Sequence, residues 1–394
     1  MTNAIDSGKK IIMTLKEHGY DAYFVGGFVR DFLLKTKSSD IDIATSALPN
    51  QVLSIFPNAK STGEKYGTVT VFQDDALFEV TTFRKEGEYL DSRHPSFVNF
   101  TDSIHDDLKR RDFSINGMAM DEELKIIDRF HGRSDLYNKK IRTVGIPDVR
   151  FKEDALRIMR AFRFVAKLGF DIETLTFESI YSNIQSLKKI ANERIVQEMK
   201  LLFSGSYHLK ALRLMHLAGI GDVFTEFKQS LELLYRQENI EISFIEFMAL
   251  SGFLSKTDLS QVWRLSNREL QMISELIDLL TVTQEDHFNE LMVYSRGIDN
   301  CLSANTLNMI INPNNDQSSL IQSLFQKMPI HKTCDLAFKG QDILELKLLS
   351  DARLIGDLID DITYQVITLN LDNDYQTIKQ YVVNKLLMKN TGVE

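Results

Sequence analysis

Apolar and polar positions alternate along the first third of the chain. Tyr23 to Val25, Asp40 to Ile43, Thr68 to Phe72, Phe78 to Phe83 and Ile126 to Asp128 follow a period of two between Gly, Asn and Asp turn residues, which predicts short strands. After Pro147 the period changes. Phe151 to Lys167, Arg194 to Phe203, His208 to Leu217 and Arg268 to Leu280 place apolar residues at i, i+3, i+4 and i+7, which predicts amphipathic helices. No proline stands between Pro147 and Pro313, so helix can run through that stretch. The pattern predicts an α+β chain: a mixed sheet with helices over 1–145, then all-helical units at 146–205, 206–311 and 312–394. Asn312-Pro313-Asn314-Asn315-Asp316-Gln317 marks the last boundary as a linker.

Composition narrows the function classes. With 394 residues, 43% hydrophobic and 26% charged, the chain can bury several cores, which excludes a disordered or disulfide-scaffold protein. Only Cys301 and Cys334 are present, in a late helical stretch and without zinc-ligand spacing. No apolar run approaches the ~18 residues of a membrane helix. Asp6, Lys9, Lys10, Lys16 and Glu17 break any leader-like run, so a reducing cytoplasm is the expected setting, with no membrane partner. A net charge of −9 argues against non-specific coating of nucleic acid, which is driven by Lys and Arg. Lys139, Lys140, Arg142, Arg150, Lys152, Arg157, Arg160, Arg163 and Lys167 nonetheless crowd one segment, so a polyanion would be met in the first half.

The candidate chemistry begins at Ser38-Ser39-Asp40-Ile41-Asp42-Ile43, where a strand would put both carboxylates on one face. Paired carboxylates repel unless a cation sits between them, and Mg²⁺ takes hard oxygen ligands of this kind. An edge strand with a solvated acidic face is the plainer reading of the pair alone. The preceding Tyr23-Phe24-Val25-Gly26-Gly27-Phe28-Val29-Arg30-Asp31 shifts the balance, because it reads as strand, double-glycine turn and helix. Gly27 would let backbone N–H groups approach an anion, and Arg30, one turn in, would add a charge-assisted bond to phosphate. Glu79, opposite Phe78 and Val80 on its strand, is placed either to assist an attacking hydroxyl beside Asp40 and Asp42 or simply to face solvent.

The stretch Lys152 to Lys167 gathers Glu153, Asp154, Arg157, Arg160, Arg163 and Lys167 on one half of a helical wheel, with apolar residues opposite. An ion pair between Asp154 and Arg157 would be the structural reading, worth ~0.2 to 0.5 kcal/mol on an exposed helix. The chemical reading is sharper. Cytosine and adenine present an amino donor beside an unprotonated ring nitrogen, while uracil and guanine present a carbonyl beside an N–H. An Asp acceptor next to an Arg donor matches the first pattern and opposes the second, so Asp154 with Arg157 would select C and A.

Gly26-Gly27-x-x-Arg30-Asp31, Asp40-x-Asp42 and Arg110-Arg111-Asp112-Phe113-Ser114-Ile115-Asn116-Gly117-Met118-Ala119, with Glu153-Asp154-x-x-Arg157, resemble the class II tRNA nucleotidyltransferase and bacterial poly(A) polymerase family. The resemblance is strong over roughly the first 205 residues. It implies a polymerase β-like nucleotidyltransferase head followed by helical neck, body and tail. It further implies template-independent addition of C, C and A to the 3′ end of tRNA from CTP and ATP, with release of pyrophosphate. Asp40 and Asp42 would hold two Mg²⁺ ions, Arg111 would grip the triphosphate, Asp112 would contact the ribose, and Glu153 would orient Arg157. Arg160 and Arg163 match arginines used against the nucleotide, Arg194 with Glu198 would brace the base-reading helix, and the loop between Arg84 and Phe97 would help the site switch from C to A. The tail is expected to stay off the RNA or to make homodimer contacts. Family members usually carry alanine at the place of Gly117. Poly(A) polymerase, partial CC or A addition, and a non-catalytic RNA-binding protein are the rivals. A long basic C-terminal extension would favour the polymerase, and Asn390 to Glu394 shows none.

Overall fold

In the strand from Ala76 to Thr82, Phe78, Val80 and Thr82 are buried while Leu77 and Glu79 are exposed, so one face of the pleat joins a core and the other does not. That strand belongs to a mixed sheet in the computed structural model, which describes residues 2–36, 41–63, 67–86, 98–348 and 353–391. The head elements are α1 (Thr2–Glu17), β1 (Ala22–Val25), α2 (Gly27–Leu33), β2 (Asp42–Thr45), α3 (Pro49–Ile55), β3 (Lys60–Gly63), β4 (Thr68–Gln73) and β5 (Ala76–Thr82). They continue through β6 (Arg84–Glu86), β7 (Val98–Phe100), α4 (Ile104–Lys109), β8 (Met118–Met120), β9 (Ile126–Asp128) and α5 (Gly132–Tyr137). Among the described residues, seven strands pair in the order β3-β4-β5-β2-β1-β8-β9. Only β2 and β5 run parallel; the other neighbours are antiparallel. β6 and β7 form a separate antiparallel ribbon.

Two packing contacts set the site. Helix α1 lies so close to the sheet that a Cβ on Gly8 would stand 2.5 Å from the Phe24 ring. On the other side Val25, Ala44, Phe83, Leu108 and Ala119 bury one another, which ties α4 and β8 to the middle of the sheet. The motif around Arg111 follows α4 and therefore comes to lie beside the ends of β1 and β2.

The helical part continues with β10 (Lys140–Ile141), α6 (Pro147–Glu153), α7 (Leu156–Leu168), β11 (Asp171–Ile172), α8 (Thr174–Asn183), α9 (Asn192–Phe203) and α10 (His208–Leu217). One expectation is corrected here: Phe151 to Lys167 is not a single helix. Asp154 is extended, with φ −141° and ψ 104°, so the aspartate ends α6, and its Oδ1 accepts the N–H of Leu156, the first residue of α7, at 3.0 Å. The apolar phase is kept across the break, which is why periodicity does not register it. β2 likewise begins at Asp42 and runs to Thr45 rather than spanning 40–43, and Asp40 lies outside the described residues.

The chain divides into two compact units, residues 1–241 with 261–264 and residues 242–260 with 265–394. In the second, the helices Phe244–Ser255 and Asn267–Thr283 open with capping boxes formed by Ser243 with Glu246 and Ser266 with Glu269. Leu250, Leu280, Cys301 and Leu307 are buried in its core. Cys334 sits in an exposed 3₁₀ turn, Thr333–Asp335. Among the described residues no helix is long and apolar enough to cross a membrane.

Candidate active site

The site lies wholly in the first unit and starts from a glycine. Gly26 has φ +70° at the junction of β1 and α2, a conformation that L side chains rarely adopt. A Cβ there would stand 3.0 Å from Arg111 Nη1 and 3.4 Å from Asp42 Oδ2, so the bare α-carbon is what lets the arginine and the aspartate approach the turn. Asp42 opens β2. Its register partner on β1 is Val25 and on β5 is Glu79, which puts the Asp42 and Glu79 carboxylates side by side on neighbouring strands.

Arg111 is held from behind. Its Nη2 donates to Asp107 Oδ2 at 3.1 Å, and its buried Nε has no hydrogen-bond partner among the described residues. Asp107 is 1% exposed and also accepts Arg110 Nε at 3.0 Å and Nη2 at 2.7 Å. Burial pushes its carboxyl up, but the charges of Arg111 and Arg110 more than offset that and hold it below the usual carboxylate range.

Arg30 does not sit as a phosphate ligand would. It is 2% exposed, with Nε on Asp31 Oδ1 and Nη1 on Asn116 Oδ1, both at 2.7 Å. Asn116 Nδ2 in turn donates to Asp112 Oδ1 at 3.2 Å, so Arg30 braces the Arg111-Asp112 loop. Gly27 lies against the Arg30 guanidinium, at 3.4 Å from its Nη2 for an added Cβ.

Asp112 joins this loop to α7. Its Oδ2 accepts Arg160 Nε at 2.8 Å as well as Nη2, and its Oδ1 accepts the Phe113 N–H at 2.8 Å. Burial raises the carboxyl, yet the Arg160 guanidinium and these hydrogen bonds bring it down to about 2. Arg163 Nε donates to Glu198 Oε2 at 2.6 Å, and its guanidinium lies 4.3 Å from the Phe164 ring centroid.

Asp154 and Arg157 each have a partner of their own. Arg194 Nη2 donates to Asp154 Oδ2 at 3.1 Å. Arg157, 7% exposed, donates through Nη1 to Glu153 Oε2 at 2.6 Å and through Nη2 to the Arg110 carbonyl at 3.1 Å. The structure thus brings Gly26, Asp42, Glu79 and Arg111 together and links Arg160 and Arg157 to the same loop, while Asp154 is held by Arg194 and Arg163 by Glu198. The crowd of cations is mostly paired: Lys140 with Asp171, Arg142 with Asp135, Arg150 with Glu153 and Lys152 with Asp148. The loop expected between Arg84 and Phe97 falls largely outside the described residues, which omit 87–97.

Asp107 and Asp31 escape sequence reasoning. Asp107 stands four residues before Arg111, and that helical spacing was the available signal. For a metal, the donor chemistry suits a hard cation: the Asp42 and Glu79 carboxylates occupy adjoining register positions. Among the described residues no group of three or more acid, histidine or cysteine side chains is assembled to hold an ion, and Asp40 is not among them.

Comparison with known proteins matches residues 22–142 to the "Poly A polymerase head domain", 169–230 to the "Probable RNA and SrmB- binding site of polymerase A" and 247–382 to a tRNA nucleotidyltransferase domain 2. The chain is 35% identical over 390 residues to a CCA-adding enzyme from Geobacillus sp. (strain WCH70), covering 96% of each. It superposes on the crystal structure of the Bacillus stearothermophilus CCA-adding enzyme in complex with CTP with a TM-score of 0.80 and 32% identity, over 98% of both chains. The Thermotoga maritima CCA-adding enzyme complexed with tRNA shares the fold, with a TM-score of 0.69 at 20% identity over 98% of this chain and 95% of that one.

Proposed function

The chain belongs to the CCA-adding enzyme family, and on that premise we propose that it adds C, C and A to the 3′ end of tRNA without a nucleic-acid template, consuming CTP and ATP. The observation that carries the reading is the convergence of Asp42 and Arg111 on the α-carbon of Gly26, tied through the Arg111-Asp112 loop to the acid–guanidinium pair at the start of α7. Poly(A) addition is not favoured, because relatives that match over nearly the full length are CCA-adding enzymes.

Arg111, with the Gly26-Gly27 turn, binds the triphosphate, as the position of its Nη1 against the turn suggests. Asp112 stays ionised at neutral pH and accepts from the ribose while anchoring Arg160. Arg30 acts as a brace through Asn116. Asp154 accepts from the exocyclic amino group of C or A, and Arg157 donates to the ring nitrogen beside it. Uracil and guanine would meet acceptor with acceptor and donor with donor. Arg194 and Glu153 keep the two reading groups in place, and Arg163 is held on Glu198.

Asp42, with Asp40, would hold Mg²⁺, which supplies charge neutralisation for the triphosphate and a sharper 3′-hydroxyl nucleophile. Glu79 stands in register to orient that hydroxyl. The head, neck, body and tail partition at 145, 205 and 311 remains our proposal, with the neck and body meeting the acceptor arm of tRNA and the tail meeting a second copy; the break between the two compact units, after residue 241, falls inside that body and not at its edge. We place the enzyme in the cytoplasm, where its nucleotide substrates are found.

The test is nucleotide selectivity. Asp154→Ala and Arg157→Ala should lower the preference for CTP and ATP over UTP and GTP by roughly 10²-fold or more, read as kcat/KM on trimmed tRNA. Selectivity equal to that of the parent would refute reading by the protein.

A further inference from the structure

Asp107 belongs to none of the roles above, yet several parts of the site meet on its carboxylate. It is 1% exposed. Its Oδ2 accepts Arg111 Nη2, and its Oδ1 accepts Arg110 Nε and Nη2 and, at 3.4 Å, the backbone N–H of Arg84 at the start of β6. Arg110 passes the constraint on, since its carbonyl accepts Arg157 Nη2 at 3.1 Å. One buried acid thereby touches the guanidinium aimed at the Gly26 turn, and through one residue of backbone it reaches the guanidinium that reads the base.

Chemistry explains why this must be a carboxylate. The groups around it are all donors, so both oxygens are used as acceptors and both positive charges need an anion. An amide at the same place would offer one acceptor and turn an NH₂ group toward guanidinium nitrogens. Arg111 would then lose the contact that fixes Nη2 and keeps Nη1 against the turn.

We propose that Asp107 is a positioning residue for the incoming nucleotide, setting Arg111 for the triphosphate and, through Arg110, Arg157 for the base. The inference rests on the nucleotide-binding role given to Arg111 above. A carboxylate that only stabilised the fold would lower thermal stability and active fraction without changing the dependence on nucleotide concentration. A positioning carboxylate changes KM for CTP and ATP selectively.

The experiment measures KM for CTP and for ATP, KM for trimmed tRNA and the unfolding temperature of the full chain, in the parent and in Asp107→Asn, Asp107→Glu and Arg111→Ala. Asp107→Asn is expected to raise both nucleotide KM values roughly tenfold or more while leaving the tRNA KM within about twofold. Asp107→Glu keeps the charge one methylene further out and is expected to fall between Asn and the parent; if the Asn variant does not fold, the Glu variant carries the test, with a raised nucleotide KM as the predicted result. Parental nucleotide KM values in the folded Asp107 variants, with Arg111→Ala impaired, would overturn the proposal alone. Parental values in Arg111→Ala would instead overturn the nucleotide-binding role on which it rests.

Discussion

Burial alone would lift the Asp112 carboxyl, but the Arg160 guanidinium and the hydrogen bonds from Asn116 and Phe113 bring it to about 2, against about 4 in an unfolded chain. A carboxyl lowered on folding contributes stability above its unfolded value and loses it as pH falls through its folded value. The contribution is about 2 kcal/mol, present at neutral pH and fading from about pH 4 down to about pH 2. Denaturant unfolding should therefore show the stability gap between the parent and Asp112→Asn narrowing as pH drops from about 5 to 3; a constant gap would contradict the ionic account. Gly26 is a second residue-scale case. Gly26→Ala meets both a positive φ and Arg111 Nη1 at 3.0 Å, so it should cost about 1 to 2 kcal/mol of stability and most of the incorporation rate. Gly27→Ala, at a normal φ and 3.4 Å from Arg30 Nη2, should be far milder. Thermal unfolding and incorporation assays on the pair check this, and equal effects would rule out the close-approach argument. At this scale strand alternation made legible which face Asp42 and Glu79 take, but not that their strands are neighbours in register, which the pairing of β2 with β5 supplies. The fate of Arg30 was not legible either: adjacent residues on a helix do not normally face each other, so nothing in the sequence marked Asp31 as its partner.

At the level of elements, the break between α6 and α7 matters most. Asp154 ends one helix just before the next begins, and its carboxylate is held by the Leu156 N–H on one oxygen and by Arg194 on the other. A carboxylate in the middle of an unbroken helix would lack that fixed direction. Arg194→Ala is expected to leave α9 intact and to raise misincorporation of UTP or GTP roughly tenfold, because Asp154 loses its charge-assisted bond. Steady-state incorporation of the four nucleotides singly measures it, and unchanged misincorporation would assign Arg194 to the fold alone. Helix His208–Leu217 matches the periodicity reading, whereas the ribbon β6–β7 and the two-residue β10 and β11 were invisible to it. Short strands carry too few alternations to stand out, and the bond from the Leu156 N–H to Asp154 is a local choice that leaves the apolar phase untouched.

For the whole molecule, the change of period near Pro147 correctly separates a mixed sheet from helices, since each half must bury a different geometry of apolar face. Charge was harder to read. The basic run from Lys139 to Lys167 suggests an open cationic surface, but carboxylates scattered along the chain, from Asp31 to Glu198, neutralise much of it, and such long-range pairing has no local signature. What the fold builds is a lattice of ion pairs that fixes Arg111, Asp112, Asp154 and Arg157 in direction. The central claim is that these protein groups alone choose C and then A. Its most direct test supplies the full chain with tRNA trimmed to the discriminator base and with CTP, ATP or both, and reads product length and sequence. The account predicts two added residues with CTP alone and three, C, C and A, with both. Long A tails, or U and G incorporated as readily as C and A, would contradict it.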